Sequence, residues 1–185
     1  LKKRAYYIKK IVLIGLLAAT ITGGKLALAA LPNVEIVTLL IMVYAAVFGI
    51  SVALPATIIF VSCEMFLYGV NTWVISYYIH WPAICLVTLL FHTFFKEKFF
   101  IYPIIAFFMT AMFGVLTTTV DTLFGTGFTP NFFKFFPIIY VRGIWFYVVH
   151  VVFNTLFSIA VFKPLYKLLT RLKASYFGAS AQTFD

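Results

Sequence analysis

The chain has 185 residues, of which 64% are hydrophobic, 20% aromatic and only 10% charged, with a formal net charge of +9 and a mean hydropathy of +1.07. A soluble domain carries roughly 25% charged residues, so this chain lacks the polar surface to face water and takes lipid as its solvent. Its basic residues flank apolar stretches and form no continuous basic face, which argues against nucleic acid as a partner.

Six transmembrane helices are expected in chain order. The first covers residues 7–30 and ends at Leu31-Pro32-Asn33. It follows a basic segment, as a signal peptide would, but runs longer than such a core and shows no clear cleavage region, so it reads as retained. The second, residues 34–48, is short of the roughly 20 residues a span needs and is expected to start or end inside the protein. The third covers 52–68 and stops at Gly69-Val70-Asn71. The fourth covers 73–95, with a kink expected at Pro82, where the backbone loses a donor. The fifth covers 99–124, and a connection over 125–136, polar and glycine-rich across Gly125–Asn131, precedes the sixth at 137–169. No internal repeat and no soluble domain are evident. The whole chain, 1–185, reads as one all-α membrane domain, with 174–185 as a flexible cytoplasmic tail.

Of the 14 Lys and Arg residues, only Lys25, Lys134 and Arg142 fall outside three clusters: Lys2, Lys3, Arg4, Lys9 and Lys10; Lys96 and Lys98; Lys163, Lys167, Arg171 and Lys173. Lys and Arg accumulate in short cytoplasmic segments of membrane proteins. Both termini are therefore expected in the cytoplasm, with residues 31–33, 69–72 and 125–136 outside.

Gly15, Ala19, Gly23 and Ala27 recur every four residues, with Ala18 and Thr22 beside them. That spacing puts them on one helix face, and close approach through small residues is a main route to helix pairing in lipid. Two roles are open to this face: packing inside the chain's own bundle, or docking another membrane subunit.

Ionisable residues inside spans cost roughly 2.5–3.5 kcal/mol near the bilayer centre and usually mark paths or sites. Those here are Lys25, Glu35, Glu64, Asp121 and Arg142, with His80 and His150, and most belong to the outer half of the expected topology. Asp121 and Arg142 are placed to form an ion pair, either at a cavity mouth or as a staple between helices. Asn33 as a cap and Glu35 against the helix dipole account for that pair structurally, and Glu35 is also placed to line a pocket. Glu64 has no capping role. His80 is expected as a hydrogen-bonded core residue, and His150 with Asn154 as an interhelical polar contact. Tyr68, Trp73, Tyr77, Tyr78, Phe128 and Tyr140 crowd the outer zone, some as interfacial belt. The substrate-binding set expected at this end is Asn33, Glu35, Glu64, Tyr68, Asn71, Tyr77, His80, Asp121, Phe128 and Arg142.

Signs of catalysis are missing. Gly23-Gly24-Lys25 fails the phosphate-binding pattern at Ala19 and Leu26, and no metal-protease or nucleophile-elbow motif occurs. Cys63 and Cys85 lie in apolar stretches and read as small hydrophobes; no metal site is expected. The chain is read as a non-enzyme, and transport by it would draw energy from a partner. A membrane enzyme using Glu64 or His80, and a small homo-oligomeric channel or carrier, are the alternatives from other classes.

The stretch Leu31-Pro-Asn-Val-Glu-Ile-Val-Thr-Leu-Leu40, leading to Tyr44 and Phe48-Gly49, together with Phe162-Lys-Pro-Leu-Tyr-Lys167, resembles the substrate-binding S components of energy-coupling factor (ECF) vitamin transporters. The likeness extends over nearly the whole chain, and is greatest to the cobalamin type of lactobacilli. It implies a multi-pass protein of a bacterial cell membrane that captures a vitamin beneath its outer loops. Cobalamin is the first expectation, as transported substrate and not as cofactor, with folate or pantothenate as alternatives. It also implies a transmembrane scaffold subunit as partner and, through it, two ATP-binding-cassette ATPases. The family's first helix often contacts the scaffold through A-x-x-x-A. Here Gly15, Ala19, Gly23 and Ala27 hold that place, with glycines alternating with alanines.

Overall fold

The computed structural model describes residues 2–96 and 98–178. Six helices follow one another: α1 (Lys2–Ala27), α2 (Val37–Phe48), α3 (Ile50–Tyr68), α4 (Thr72–Phe95), α5 (Ile101–Thr126) and α6 (Asn131–Phe177). Five of them are long and apolar enough to cross a bilayer, and α2 is the shorter exception. The chain is thus a helical, multi-pass membrane protein by length and composition. Large apolar side chains face outward along the long helices, among them Ile11, Leu16, Phe108, Ile144 and Ile159, as lipid-facing surfaces require.

The second helix begins three residues later than expected. All twelve of its residues are buried, and at 1.5 Å per residue it is about 18 Å long, against about 30 Å of hydrocarbon. It serves as the axial rod of the bundle, touching α1, α3, α4, α5 and α6. Gly49, at φ 75° and ψ 177°, joins it to α3 without a loop. That backbone region is open essentially to glycine alone.

The sixth helix also departs from expectation. Residues 131–136, expected as loop, form its first turns, so the connection from α5 shrinks to residues 127–130. At 47 residues the helix is about 70 Å long and overshoots a bilayer. Of the expected tail, 174–177 belong to this helix, and 179–185 lie outside the described residues.

Contacts sort the helix ends into two groups. Lys9 Nζ donates to the Tyr176 carbonyl at 2.7 Å, and Lys173 Nζ to the Val47 carbonyl at 2.7 Å. His92 Nδ1 lies 2.6 Å from the Tyr102 hydroxyl. The start of α1, the α2–α3 junction, the α4–α5 connection and the end of α6 therefore share one end, the basic one. The opposite end gathers Lys25, Asn33, Tyr68, Trp73, Asp121 and Tyr147 around one cavity.

Glycine sets the closest helix approaches. A Cβ on Gly114 would stand 2.7 Å from the Tyr147 ring, so Gly114 lets that ring lie between α5 and α6, where the Tyr147 hydroxyl meets Thr118 Oγ1 at 2.9 Å. On α1, Leu17, Ala18 and Ile21 are buried, and Gly24 abuts Ile36 and Leu40 of the α2 segment. Gly15, Ala19, Gly23 and Ala27 are exposed instead, and Cβ atoms on Gly15 and Gly23 would meet nothing within 4 Å. Of the two roles open to the small-residue row, internal packing is not the one this fold uses.

Candidate functional site

The cavity at the end opposite the basic clusters has a volume of about 550 Å³. Six segments supply its walls: Lys25 from α1, Asn33 from the connection that follows, Tyr68 from α3, Trp73 and Tyr77 from α4, Phe113, Thr117 and Asp121 from α5, and Phe146 and Tyr147 from α6. Its chemistry is mostly aromatic, with one ammonium, one carboxylate, one amide and several hydroxyls. Tyr68, Trp73, Tyr77 and Trp81 form a file of edge-to-face rings 4.9–5.7 Å apart between neighbouring centroids. Such a wall is rigid and offers ring faces to a flat or apolar ligand.

Lys25 is the electrostatic centre of this end. It pairs with Glu64, which is wholly buried, while the lysine keeps 18% of its side-chain surface open. Its ammonium also donates to the Tyr77 hydroxyl at 3.0 Å and stands 4.5 Å from that ring's centroid and 5.4 Å from that of Trp73. Glu64 thus reaches the cavity only through Lys25, whose aliphatic stem and head occupy the wall.

The connection between α1 and α2 closes one side. Asn33 takes φ 59°, a left-handed conformation that asparagine tolerates better than most residues. Its amide donates to the Phe146 carbonyl at 3.0 Å, tying the loop to α6. Asn33 therefore does not cap the second helix, whose N-cap is Ile36 without a side-chain bond. Glu35 does not sit in that helix's first turn either. It is buried, 3.3 Å from His150 Nδ1, and burial pushes its carboxyl up to about 7, with Lys25 opposing and Glu64 adding to the shift.

Phe113 divides this cavity from a second layer. It lines the cavity and packs against His80 at 4.7 Å, His150 at 5.1 Å and Trp81 at 6.1 Å between ring centroids. His80 is buried as expected, but its Nε2 has no hydrogen-bond partner among the described residues; the same holds for Trp81 Nε1, His150 Nε2 and Asn154 Oδ1. The Asn154 amide bonds back to His150 on its own helix, at 3.2 Å to Nδ1 and 2.8 Å to the carbonyl oxygen. The expected interhelical contact is not formed: beyond its own helix His150 meets Glu35, in the connection between α1 and α2.

Four of the residues expected at the site line the cavity: Asn33, Tyr68, Tyr77 and Asp121. Glu35, Glu64 and His80 lie behind its walls. Asn71 caps α4, accepting from the Val74 amide at 3.2 Å. Phe128 is 95% exposed and Arg142 points outward as well, so neither joins the site. Among the described residues Asp121 and Arg142 form no salt bridge; Lys25 and Glu64 do, and Glu35 meets the His150 imidazole. Arg142 is exposed although it falls on the same four-residue spacing as His150, Asn154, Ser158 and Phe162, which this helix buries.

Phe113, Thr117, Phe146 and Tyr147 escape a reading of the sequence, and Lys25 stands out there as an intramembrane charge without a place in the site. A usable signal exists for α5. Thr110, Gly114, Thr117, Thr118 and Thr122 are all buried and fall at helical spacing on one face, which marks a polar, closely packed wall in an otherwise greasy helix.

Cys63 and Cys85 are free thiols, and among the described residues no cluster of three or more His, Cys, Asp or Glu could hold a metal ion. Compared with known proteins, the chain matches no family model, no curated protein and no solved structure.

Proposed function

We propose that this chain is the substrate-binding subunit of an ECF-type vitamin importer in a bacterial cell membrane, with both termini in the cytoplasm. One observation carries the reading: a ring-lined cavity of about 550 Å³ stands at the end of the bundle remote from the basic clusters. By the positive-inside rule that end faces outward, where a solute is met. The outward-facing Gly15, Ala19, Gly23 and Ala27 supply a smooth surface on which a scaffold subunit can pack, and through it two ATPases would drive release.

The cavity's size bears on the ligand. Pockets for drug-sized molecules run to roughly 300–1,000 Å³, and this one is mid-range. A corrinoid with its nucleotide loop exceeds it and would have to widen the mouth or remain partly outside. A smaller vitamin of the folate or pantothenate kind is closer to it in size, and the walls offer Lys25, Asn33 and Asp121 to its polar groups.

The test is calorimetric titration of the purified chain with a vitamin panel that includes cobalamin, folate and pantothenate. Tight one-to-one binding without turnover, weakened by Trp73→Ala and by Asp121→Ala, is the expected result. Vitamin flux through liposomes holding this chain alone would refute the subunit reading and favour a self-sufficient carrier.

A further inference from the structure

Behind Phe113 lies a polar layer whose bonds the fold itself leaves unmade. His80 and Trp81 of α4 and Asn154 of α6 are each more than nine-tenths buried. Among the described residues, His80 Nε2, Trp81 Nε1 and Asn154 Oδ1 have no hydrogen-bond partner. The large majority of buried polar side-chain atoms in folded proteins are paired. A buried donor or acceptor left unpaired is costlier than an apolar group of the same shape. Packing alone would therefore be better served by Phe or Leu at these positions. Three such atoms in one layer mark a place where something else completes the bonds.

The three side chains gather around a single ring. Phe113 packs against His80 at 4.7 Å, His150 at 5.1 Å and Trp81 at 6.1 Å between centroids. Trp81 stands edge-on to the His150 ring at 6.4 Å, and the Asn154 amide lies 3.2 Å from Nδ1 of that ring. Phe113 also lines the outer cavity, so one phenyl ring separates that cavity from the layer. Rotation of Phe113 between staggered χ1 wells turns its ring into the cavity's 550 Å³. The volume it leaves then adjoins His80, Trp81 and Asn154.

The chemistry of the layer selects the group that enters. Trp81 Nε1 only donates and Asn154 Oδ1 only accepts, while His80 Nε2 does either according to its tautomer. Glu35, the carboxylate beside the layer, already meets the His150 imidazole at 3.3 Å. An ionic group would lose its water here and meet no counter-charge. An uncharged group with an acceptor and a donor side by side matches the atoms on offer. A carboxamide or a lactam has that form.

We infer that Phe113 is a door and that the layer behind it is an inner subsite for the carboxamide or lactam end of the solute. The inference rests on the outer cavity being the solute site and extends that site inward.

The full chain in detergent is titrated with nicotinamide and two analogues. One is 3-acetylpyridine, which keeps the ring and carbonyl but has methyl for NH2; the other is nicotinate, which is charged. Dissociation constants and the Trp81 indole N–H resonance, assigned with Trp81→Phe, are read by NMR. Nicotinamide should bind about tenfold or more tightly than either analogue, as an unmade buried hydrogen bond requires, and should shift the Trp81 resonance downfield. Asn154→Leu should abolish the preference over 3-acetylpyridine. His80→Phe should weaken nicotinamide severalfold while leaving the unfolding midpoint in place or raising it; a lowered midpoint with unchanged affinity would make His80 structural and count against the subsite. Nicotinamide that binds without moving the Trp81 resonance fills the outer cavity alone, which would overturn the subsite. Equal affinity for all three compounds, or binding by none, would do the same. Cross-peaks from water to the Trp81 N–H that nicotinamide leaves unchanged would assign the layer to internal water only. Those failures leave the importer reading standing, and vitamin flux through liposomes holding this chain alone would refute that reading without touching the subsite. If Asn154→Leu does not fold, the Trp81 shift and His80→Phe decide.

Discussion

The two ends of this bundle treat their cations in opposite ways. At the cavity end Lys25 meets the Glu64 carboxylate inside the protein, and Glu35 meets the His150 imidazole. At the basic end Lys9 and Lys173 meet backbone carbonyls, and Lys98 and Lys163 lie over phenyl rings at 5.6 Å. Ion pairs that leave water must be matched or neutralised, because an unpartnered buried charge is far costlier than an unpartnered exposed one. The cavity end therefore commits most of its few charges to internal pairs and presents a nearly balanced, aromatic wall. The basic end keeps a net positive charge, which can orient the chain in a membrane.

Breaking the Lys25–Glu64 pair tests the first half of that contrast with the largest effect. Lys25→Met strands a wholly buried carboxylate and should cost about 3–5 kcal/mol, read as a lowered unfolding midpoint in detergent. Lys25→Met with Glu64→Met removes both charges and should recover most of that loss, since apolar replacement of a buried pair is often neutral. A double variant as unstable as the single would show that the two residues matter separately and not as a pair.

Next in size is the pair of adjacent glycines on α1. A Cβ added at Gly24 would stand 2.8 Å from the Ile36 side chain, whereas one added at Gly23 would meet open space. Gly24→Leu overpacks the α1–α2 contact and should cost about 1–3 kcal/mol. Gly23→Leu should leave stability and vitamin binding unchanged while abolishing uptake by cells that carry the scaffold and ATPases. Lost binding in Gly23→Leu would return the small-residue row to internal packing.

Legibility in the sequence tracks how local each signal is. The apolar runs and basic clusters show the helices and bring α1's start, Lys96 and Lys98, and α6's end together. The fourfold spacing marks a face of α1, yet whether Gly23 or Gly24 turns inward depends on where residues 36–40 lie, which no periodicity reveals. Val37–Phe48 is apolar on every side, so its burial is expected, but its true start is hidden because Asn33 and Glu35 imitate a capped first turn. The cavity is half readable: Asn33, Tyr68, Tyr77 and Asp121 sit near helix ends, where position along the chain gives depth. Phe113, Phe146 and Tyr147 lie deeper, and their facing depends on rotations fixed by Gly114. Arg142 misleads because its spacing from His150 and Asn154 suggests an inward side chain, whereas α6 is exposed at that level.

A smaller effect separates Glu35 from its neighbours. Its carboxyl, in the connection between α1 and α2, is raised by burial from 4.5 to about 7, so the folded chain holds a proton there that the unfolded chain releases. Stability from this group is full below about pH 4.5 and is lost as pH rises through about 7. Lys25, Glu64, Tyr77 and His150 are the charged or titratable groups around it. Unfolding midpoints measured from pH 5 to 8 should fall in the wild type and fall less in Glu35→Gln; parallel curves would remove Glu35 as the source.

The smallest expected effect is the most discriminating for the cavity's boundary. Arg142 sits within the outer part of α6 and its charge suits an anionic vitamin, so sequence alone would place it in the site. Its side chain instead faces outward, and the cavity's lysine is Lys25. Arg142→Ala should therefore change vitamin affinity and stability by no more than about 0.5 kcal/mol, as for surface positions generally, while Lys25→Met should weaken affinity severalfold in whatever fraction folds. A marked loss of affinity in Arg142→Ala would mean that ligand capture rotates or bends α6 about its outer turns. The cavity walls described for Phe146 and Tyr147 would then belong to one of two arrangements of the same helix.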